Sequence, residues 1–360
     1  MTELVPETES DSHEPQLQFV ASPGFTGWLA EQHVSIALTS YRSGKLFLIG
    51  HNLDGRISIF ERTFSRCMGM WTDAQTLWVA SLFEIHRFEN ILPRGGSHEG
   101  YDRCYVPRQA FVTGDLNVHD IAINAHGQLV FVNTLFNCLA SVSETHSFDP
   151  LWQPPFIETL TAEDRCHLNG MALERGVPRY VSMFAATNEA QGWRQQRLSG
   201  GRVLDLRDDT VIVDGLAMPH SPRLYRDRLW LLQSGTGEFG YVDRHQNCFV
   251  PLTFCPGYVR GLEFVGDYAV VGLSKGREEN LFQELPLHER LEQSGQSVRC
   301  GVCVIDLRTC EVVHTLWIEG VVTQLYDIAV LPGVVRPMAV GFKTDEIQRM
   351  ISVGPKRSLA

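Results

Sequence analysis

The chain is predicted to fold as an all-β propeller. Three observations carry the prediction: a recurring pair of short apolar strands around a turn, a spacing of tens of residues between recurrences, and amphipathic further strands in several units. The pairs read "SIALTSYRSGKLFLIG" from 35, "CMGMWTDAQTLWVAS" from 67, "HDIAINAHGQLVFVNT" from 119, "NGMALERGVPRYVSMF" from 169, "HSPRLYRDRLWLLQSG" from 220, "RGLEFVGDYAVVGLS" from 260 and "YDIAVLPGVVRPMAVG" from 326. Their alternation and turn residues mark β hairpins, not helices. Third strands follow as "RISIFER" from 56, "EIHRFEN" from 84, "CLASVSE" from 138, "GRVLDLRDD" from 201 and "EFGYVDRH" from 238. Four strands repeating at about 40–50 residues make a propeller blade.

Seven inner strands predict seven blades, or six if the first unit is misread. The last unit has two clear strands, so the N-terminal "LQFVAS" at 17–22 is expected to pair with it and close the ring, removing an exposed edge. The segments around this core are an acidic leader over 1–16, a single propeller domain over 17–352, a polar insertion at 275–297 with a short helical pattern, and a tail at 353–360. A loop of that length inside a domain suggests a flap or a protein-partner contact.

Formal net charge is −11 and no Lys/Arg cluster interrupts it, so no nucleic-acid partner is expected. No run of eighteen apolar residues is present and the acidic balance disfavours anionic lipid, so no membrane association is expected either. The leader holds five acids and no Lys or Arg, unlike a signal peptide, which places the protein in the cytoplasm. Nine cysteines without regular spacing read as reduced, mostly buried thiols. Cys300 and Cys303 formally match C-x-x-C, but on a strand they point to opposite faces.

The stretches "LTSYRSGKLFLIG", "FSRCMGMW", "LWVASLFEIHRFEN", "YVPRQAFVTGDLNVHDIA", "CHLNGMAL", "LAMPHSPR" and "LYDIAVLPG" span nearly the whole chain. In them the chain resembles an uncharacterised bacterial family of propeller-like conserved hypothetical proteins, a resemblance that implies the fold and carries no catalytic residue. More remotely it is similar in architecture to gluconolactonases, strictosidine synthases and peptidyl-hydroxyglycine lyases, which transfers no function.

Aligning the units on their turns puts Ile36, Met68, His119, Asn169, His220, Arg260 and Tyr326 in register. Inner strands line a propeller's channel, so these strand heads should gather at one mouth. His167, two residues before Asn169, points the same way if the chain is extended. His119, His167 and His220 then form a three-imidazole ligand set for a divalent metal, zinc or iron first, copper or manganese next. Taken singly, each histidine is more often a structural group bonded to backbone. Arg260 suits an anion clamp and Tyr326 a proton donor or base. Asn169, Arg260, Asn133 and Lys275 are the candidate substrate contacts. Asp120 and Asp327, each one residue past a ring position, should point away and support the backbone or a neighbouring blade. The "SGTGEFG" stretch at 234–240 lacks the Lys and helix of a phosphate loop and reads as a hairpin turn. No strand–turn–helix nucleophile elbow is present, so serine hydrolase chemistry has little support.

These readings converge on a metal-assisted enzyme, a lyase, hydrolase, isomerase or oxygenase acting on a small or peptide substrate at the channel mouth. The alternative is a non-catalytic propeller whose top face binds a protein, a peptide or a small anionic ligand.

Overall fold

A computed structural model describes residues 16–276 and 284–356. Most of the expected leader, residues 277–283 of the insertion and 357–360 of the tail lie outside the described residues. The described residues form six sheets, each of four or five strands, arranged as the six blades of a propeller. Inner strand meets inner strand all the way round, from Leu325–Pro332 through Met70–Thr72, Val118–Ile123, Leu168–Glu174, Pro219–Tyr225 and Tyr258–Val265 back to the first.

The count is six because the first and last repeats share a blade. Leu325–Pro332 is the inner strand of the sheet completed by Val34–Ser40, Lys45–His51 and Ile57–Thr63, with Ile36 opposite Val330 and Ser35 opposite Leu331. An N-terminal strand therefore does close the ring, but it is Val34–Ser40. The 17–22 segment pairs instead with Glu311–Glu319, as an outer fifth strand of the sixth blade with Phe19 opposite Ile318. Near the C-terminus, Pro337–Ala339 adds a parallel strand to the second blade beside Arg103–Val112. Both additions cover outer edges that would otherwise present unpaired backbone groups.

Second strands such as Leu129–Asn133 are buried along their whole length, which explains their continuous apolar runs. The core fills the wedges between blades. Val130, Val132 and Leu139 of the third blade pack with Met171, Val181 and Met183 of the fourth. Trp230 and Leu232 of the fifth pack with Val271 and Leu273 of the sixth. All nine cysteines are free. Cys300 and Cys303 belong to different core clusters, and burial pushes the Cys300 thiol up to about 12. Residues 234–237 form the turn between Arg228–Gln233 and Glu238–Asp243.

The six inner strands are stapled to one another at the residue following each ring position. These residues are Asp327, Gly69, Asp120, Gly170, Ser221 and Gly261 in blade order, an oxygen-bearing side chain alternating with glycine. Asp327 accepts the Met70 amide at 3.0 Å, Asp120 accepts the Met171 amide at 3.0 Å, and the Ser221 hydroxyl accepts the Gly261 amide at 3.1 Å. Glycine is required where the next backbone approaches. A Cβ at Gly170 would stand 2.7 Å from Pro222 Cδ, and one at Gly261 (φ +70°) would stand 2.7 Å from the Ile328 amide nitrogen.

Candidate functional site at the channel mouth

Six of the seven register residues fall one per blade: Tyr326, Met68, His119, Asn169, His220 and Arg260. Ile36 sits on a second strand and leaves the ring for the core, because its blade takes its inner strand from the other end of the chain. The Tyr326 ring meets His119 edge-on at 5.2 Å and stacks on Tyr41 at 6.1 Å, while the Arg260 guanidinium lies 5.8 Å from the Tyr326 ring centre.

A second tier of residues lies above this ring. Two positions before Met68, His119, Asn169 and His220 stand Arg66, Asn117, His167 and Met218, all left-handed with φ of 52°, 53°, 50° and 53°. Non-glycine residues held there store about 1–3 kcal/mol each, and such strain collects at binding sites. All four border one cavity of about 250 Å³ at the channel mouth, together with His119, Arg260 and Tyr326. His167 thus reaches the mouth by a left-handed turn ahead of its strand, and not by the alternation of an extended chain.

The turns also set the imidazoles. His119 Nδ1 donates to the Asn117 carbonyl and His220 Nδ1 to the Met218 carbonyl, each at 2.8 Å. An accepting carbonyl requires the proton on Nδ1, so the neutral ring carries its lone pair on Nε2. Burial pushes the His119 pKa well below its usual value, and the neighbouring His167, Arg260 and His220 charges push the same way. His167 Nδ1 lies 2.9 Å from both carboxylate oxygens of buried Asp164, which also accepts the Trp193 indole N–H at 3.1 Å. The His167 ring is perpendicular to His119, with centroids 4.9 Å apart.

Aromatic rings make one wall. Phe184 lies 4.3 Å from His167 and 5.2 Å from His220, and Trp193 lies 4.5 Å from His167. Behind that wall the described part of the insertion forms the helix Pro286–Ser294, whose Leu287 and Leu291 pack with Phe184, Trp193 and Met218. The inward face of the insertion is therefore structural. Arg194 lies over Trp193, and Arg66 at the rim is ion-paired with Asp115.

The remaining expected contacts are elsewhere. Asn169 lines the narrow waist below the mouth, a space of about 10 Å³ bordered also by His119, His220 and Tyr326, roughly one water molecule's worth. Asn133 is fully buried and accepts the Phe136 amide at 3.1 Å, and Lys275 pairs with Glu319 at 3.1 Å; neither borders the mouth cavity. The three expected metal ligands gather at the mouth, yet Phe184 packs against both His167 and His220. Among the described residues no three His, Cys, Asp or Glu side chains are arranged to hold a metal ion. Asp164, Phe184, Trp193 and Arg66 were not expected from sequence. Asp164 alone had a signal, an acid three residues before a candidate histidine.

These features define a six-bladed β-propeller with a polar and aromatic pocket at one channel mouth. The chain belongs to the family described as Domain of unknown function (DUF4915), whose model matches residues 23–340. A search of the curated proteins finds no match. Among solved structures the chain is similar to one in the nidogen/laminin complex, with 12% identity, TM-score 0.51, and coverage of 83% of this chain and 99% of that one. It is also similar to a protein of unknown function from Bacteroides caccae (12% identity, TM-score 0.47, 82% and 98% covered). A third is virginiamycin B lyase from Staphylococcus aureus (12% identity, TM-score 0.38, 72% and 96% covered). At such identity the likeness concerns the fold alone, and it rests on the first of them. No helix among the described residues is long and apolar enough to cross a membrane.

Proposed function

We propose that the channel mouth is the active site of an enzyme that moves a proton on a small anionic substrate, with His167 as the acid–base group. The observation that carries this reading is the Asp164–His167 pair, held at 2.9 Å and opening into the mouth cavity beside His119. A buried carboxylate on Nδ1 fixes the ring and leaves Nε2 for the substrate proton. Arg260 supplies a planar cation for a carboxylate or phosphate, Tyr326 stands beside it as a hydroxyl donor, and the Phe184–Trp193 wall excludes water from one side.

Small carboxylate- and phosphate-bearing esters, lactones and hydroxy acids, with short peptides, should be incubated with the protein in deuterated water and followed by NMR. At least one should exchange a C–H with solvent or turn over. His167→Ala should lower that rate about 10²–10⁴-fold, while Asp164→Asn should lower kcat more than it changes KM. Saturable binding of an anion without exchange or turnover of any compound would overturn the reading in favour of a non-catalytic anion pocket.

A divalent ion, zinc or iron before copper or manganese, is a second reading. The observation favouring it is that His119, His167 and His220 each have Nδ1 tied to a protein oxygen, as metal-bound histidines do. It requires Phe184 to withdraw from its place against two of the imidazoles, and no chemical step is assigned to it. Plasma mass spectrometry of untagged protein after metal supplementation decides. Stoichiometric metal lost in His119→Ala, His167→Ala and His220→Ala would support it, and metal-free wild type would end it.

A further inference from the structure

The channel has a second mouth. At the end opposite the histidines, residues from all six inner strands enclose a cavity of about 290 Å³. About half of its exposed wall is apolar, including Met70, Trp71, Ile121 and Met171, and its charged end is made by Asp120, Arg223 and Glu263. A concave pocket that joins apolar side chains to a few converging charged groups is the usual form of a small-molecule site.

The charges indicate which ligand fits. The Arg223 guanidinium is committed to the protein. Its Nη1 donates to Asp120 Oδ2 at 2.8 Å and to the Met171 and Pro222 carbonyls at 3.1 and 3.0 Å, and its Nη2 donates to Asp120 Oδ1 at 3.2 Å. What remains for Glu263 is an Nε 3.7 Å away, beyond hydrogen-bond reach. Asp327 is buried near Asp120 and accepts the Met70 and Ile328 amides, so the guanidinium feels three carboxylates while bonding to only one of them, Asp120. Burial raises the Glu263 pKa, Arg223 and the Phe264 amide, which donates to Glu263 Oε2 at 3.4 Å, lower it, and Asp120 adds to the rise; Asp327 is driven upward by burial and by Asp120. The Glu263 side chain is 38% exposed, accessible to a partner from the cavity. An incoming anion would meet a guanidinium already occupied, whereas a cation would meet the undercompensated carboxylate.

We propose that the lower mouth binds a small organic cation, an ammonium or guanidinium group carried on an apolar body. The charge would pair with Glu263 and the body would lie against Trp71 and its apolar neighbours, where the indole face adds a cation–π attraction. This site is independent of the chemistry proposed for the histidine mouth.

Each mouth carries its own tryptophan, Trp71 below and Trp193 above, so the two ends can be read separately. Benzylammonium should be titrated into 15N-labelled protein at pH 8, with the two indole N–H signals assigned through Trp71→Phe and Trp193→Phe. The Trp71 signal should shift saturably while Trp193 stays in place, benzoate should leave Trp71 unmoved, and Glu263→Gln should weaken binding at least about tenfold. Wild-type affinity should also fall as the pH is lowered from 8, because Glu263, facing Arg223 and Asp120 with its pKa raised by burial, loses the charge that pairs with the cation. A Trp71 shift as large with benzoate, unchanged affinity in folded Glu263→Gln, or no saturable shift with benzylammonium would each overturn the proposal. If Glu263→Gln fails to fold, the benzoate and pH comparisons on wild type still decide. None of these outcomes touches deuterium exchange at His167, so the two readings fail separately.

Discussion

Replacing Asp120 with alanine is expected to destabilise the fold by about 3–5 kcal/mol, the usual cost of removing one partner of a buried ion pair. Asp120 is 4% exposed and holds three elements of the ring together. It sits on the third blade, accepts the Met171 amide of the fourth, and takes the Arg223 guanidinium of the fifth through both oxygens. Without it the guanidinium keeps the Met171 and Pro222 carbonyls but no close counter-charge, only a loose contact with Glu263, and a buried amide loses its acceptor. Asp120→Asn retains an acceptor for Met171 and should recover about 1 kcal/mol. Urea midpoints at unchanged slope measure both. A loss below about 1 kcal/mol in the alanine variant would show that the channel charges do not hold the blades.

Asp327→Asn is expected to change how stability depends on pH. Burial first, then the Asp120 charge, pushes the Asp327 carboxyl up to about 7, with Arg223 acting against the rise. A carboxyl whose folded pKa lies above its unfolded value binds its proton more tightly in the native state. Its contribution is therefore present at low pH and lost as pH rises from about 4, the ordinary aspartate value, through about 7. His119, depressed by burial, acts with the opposite sign, losing stability as pH falls below its ordinary value. The variant-minus-wild-type difference removes that background. Asp327→Asn should gain stability relative to wild type steadily between about pH 4 and 7.5, and keep one acceptor for the Met70 amide. A flat difference, or one falling with pH, would show that Asp327 is ionised throughout.

Both predictions concern residues visible in the repeat. The strand-head pairs read Tyr-Asp, Met-Gly, His-Asp, Asn-Gly, His-Ser and Arg-Gly in blade order, and the alternation of acceptor and glycine is written in sequence. Its first member in each pair gives the ring, its second the staple. The expectation that Asp120 and Asp327 support the backbone or a neighbouring blade agrees with the amides they accept, but neither points away from the channel: both border its waist, and Asp120 its lower mouth. The site above the ring was far less legible. Asp164, Phe184 and Trp193 lie in connections of unequal length, where no period ties a residue to a direction. The left-handed turns at Arg66, Asn117, His167 and Met218 are made by four different residue types, none of them glycine, so no local signature announces them.

The sequence by itself determined the class of fold, the hairpin units and the ring of strand heads, because alternation, turn residues and burial act over a few neighbouring positions. Tertiary structure alone decided that the blades number six, since Leu325–Pro332 and Val34–Ser40 are nearly three hundred residues apart and join only when both find their backbone groups unpaired. It alone placed Phe184 against two histidines and left Glu263 short of a full ion pair at the opposite mouth. Those outcomes depend on distances across the channel, which short-range pattern does not encode.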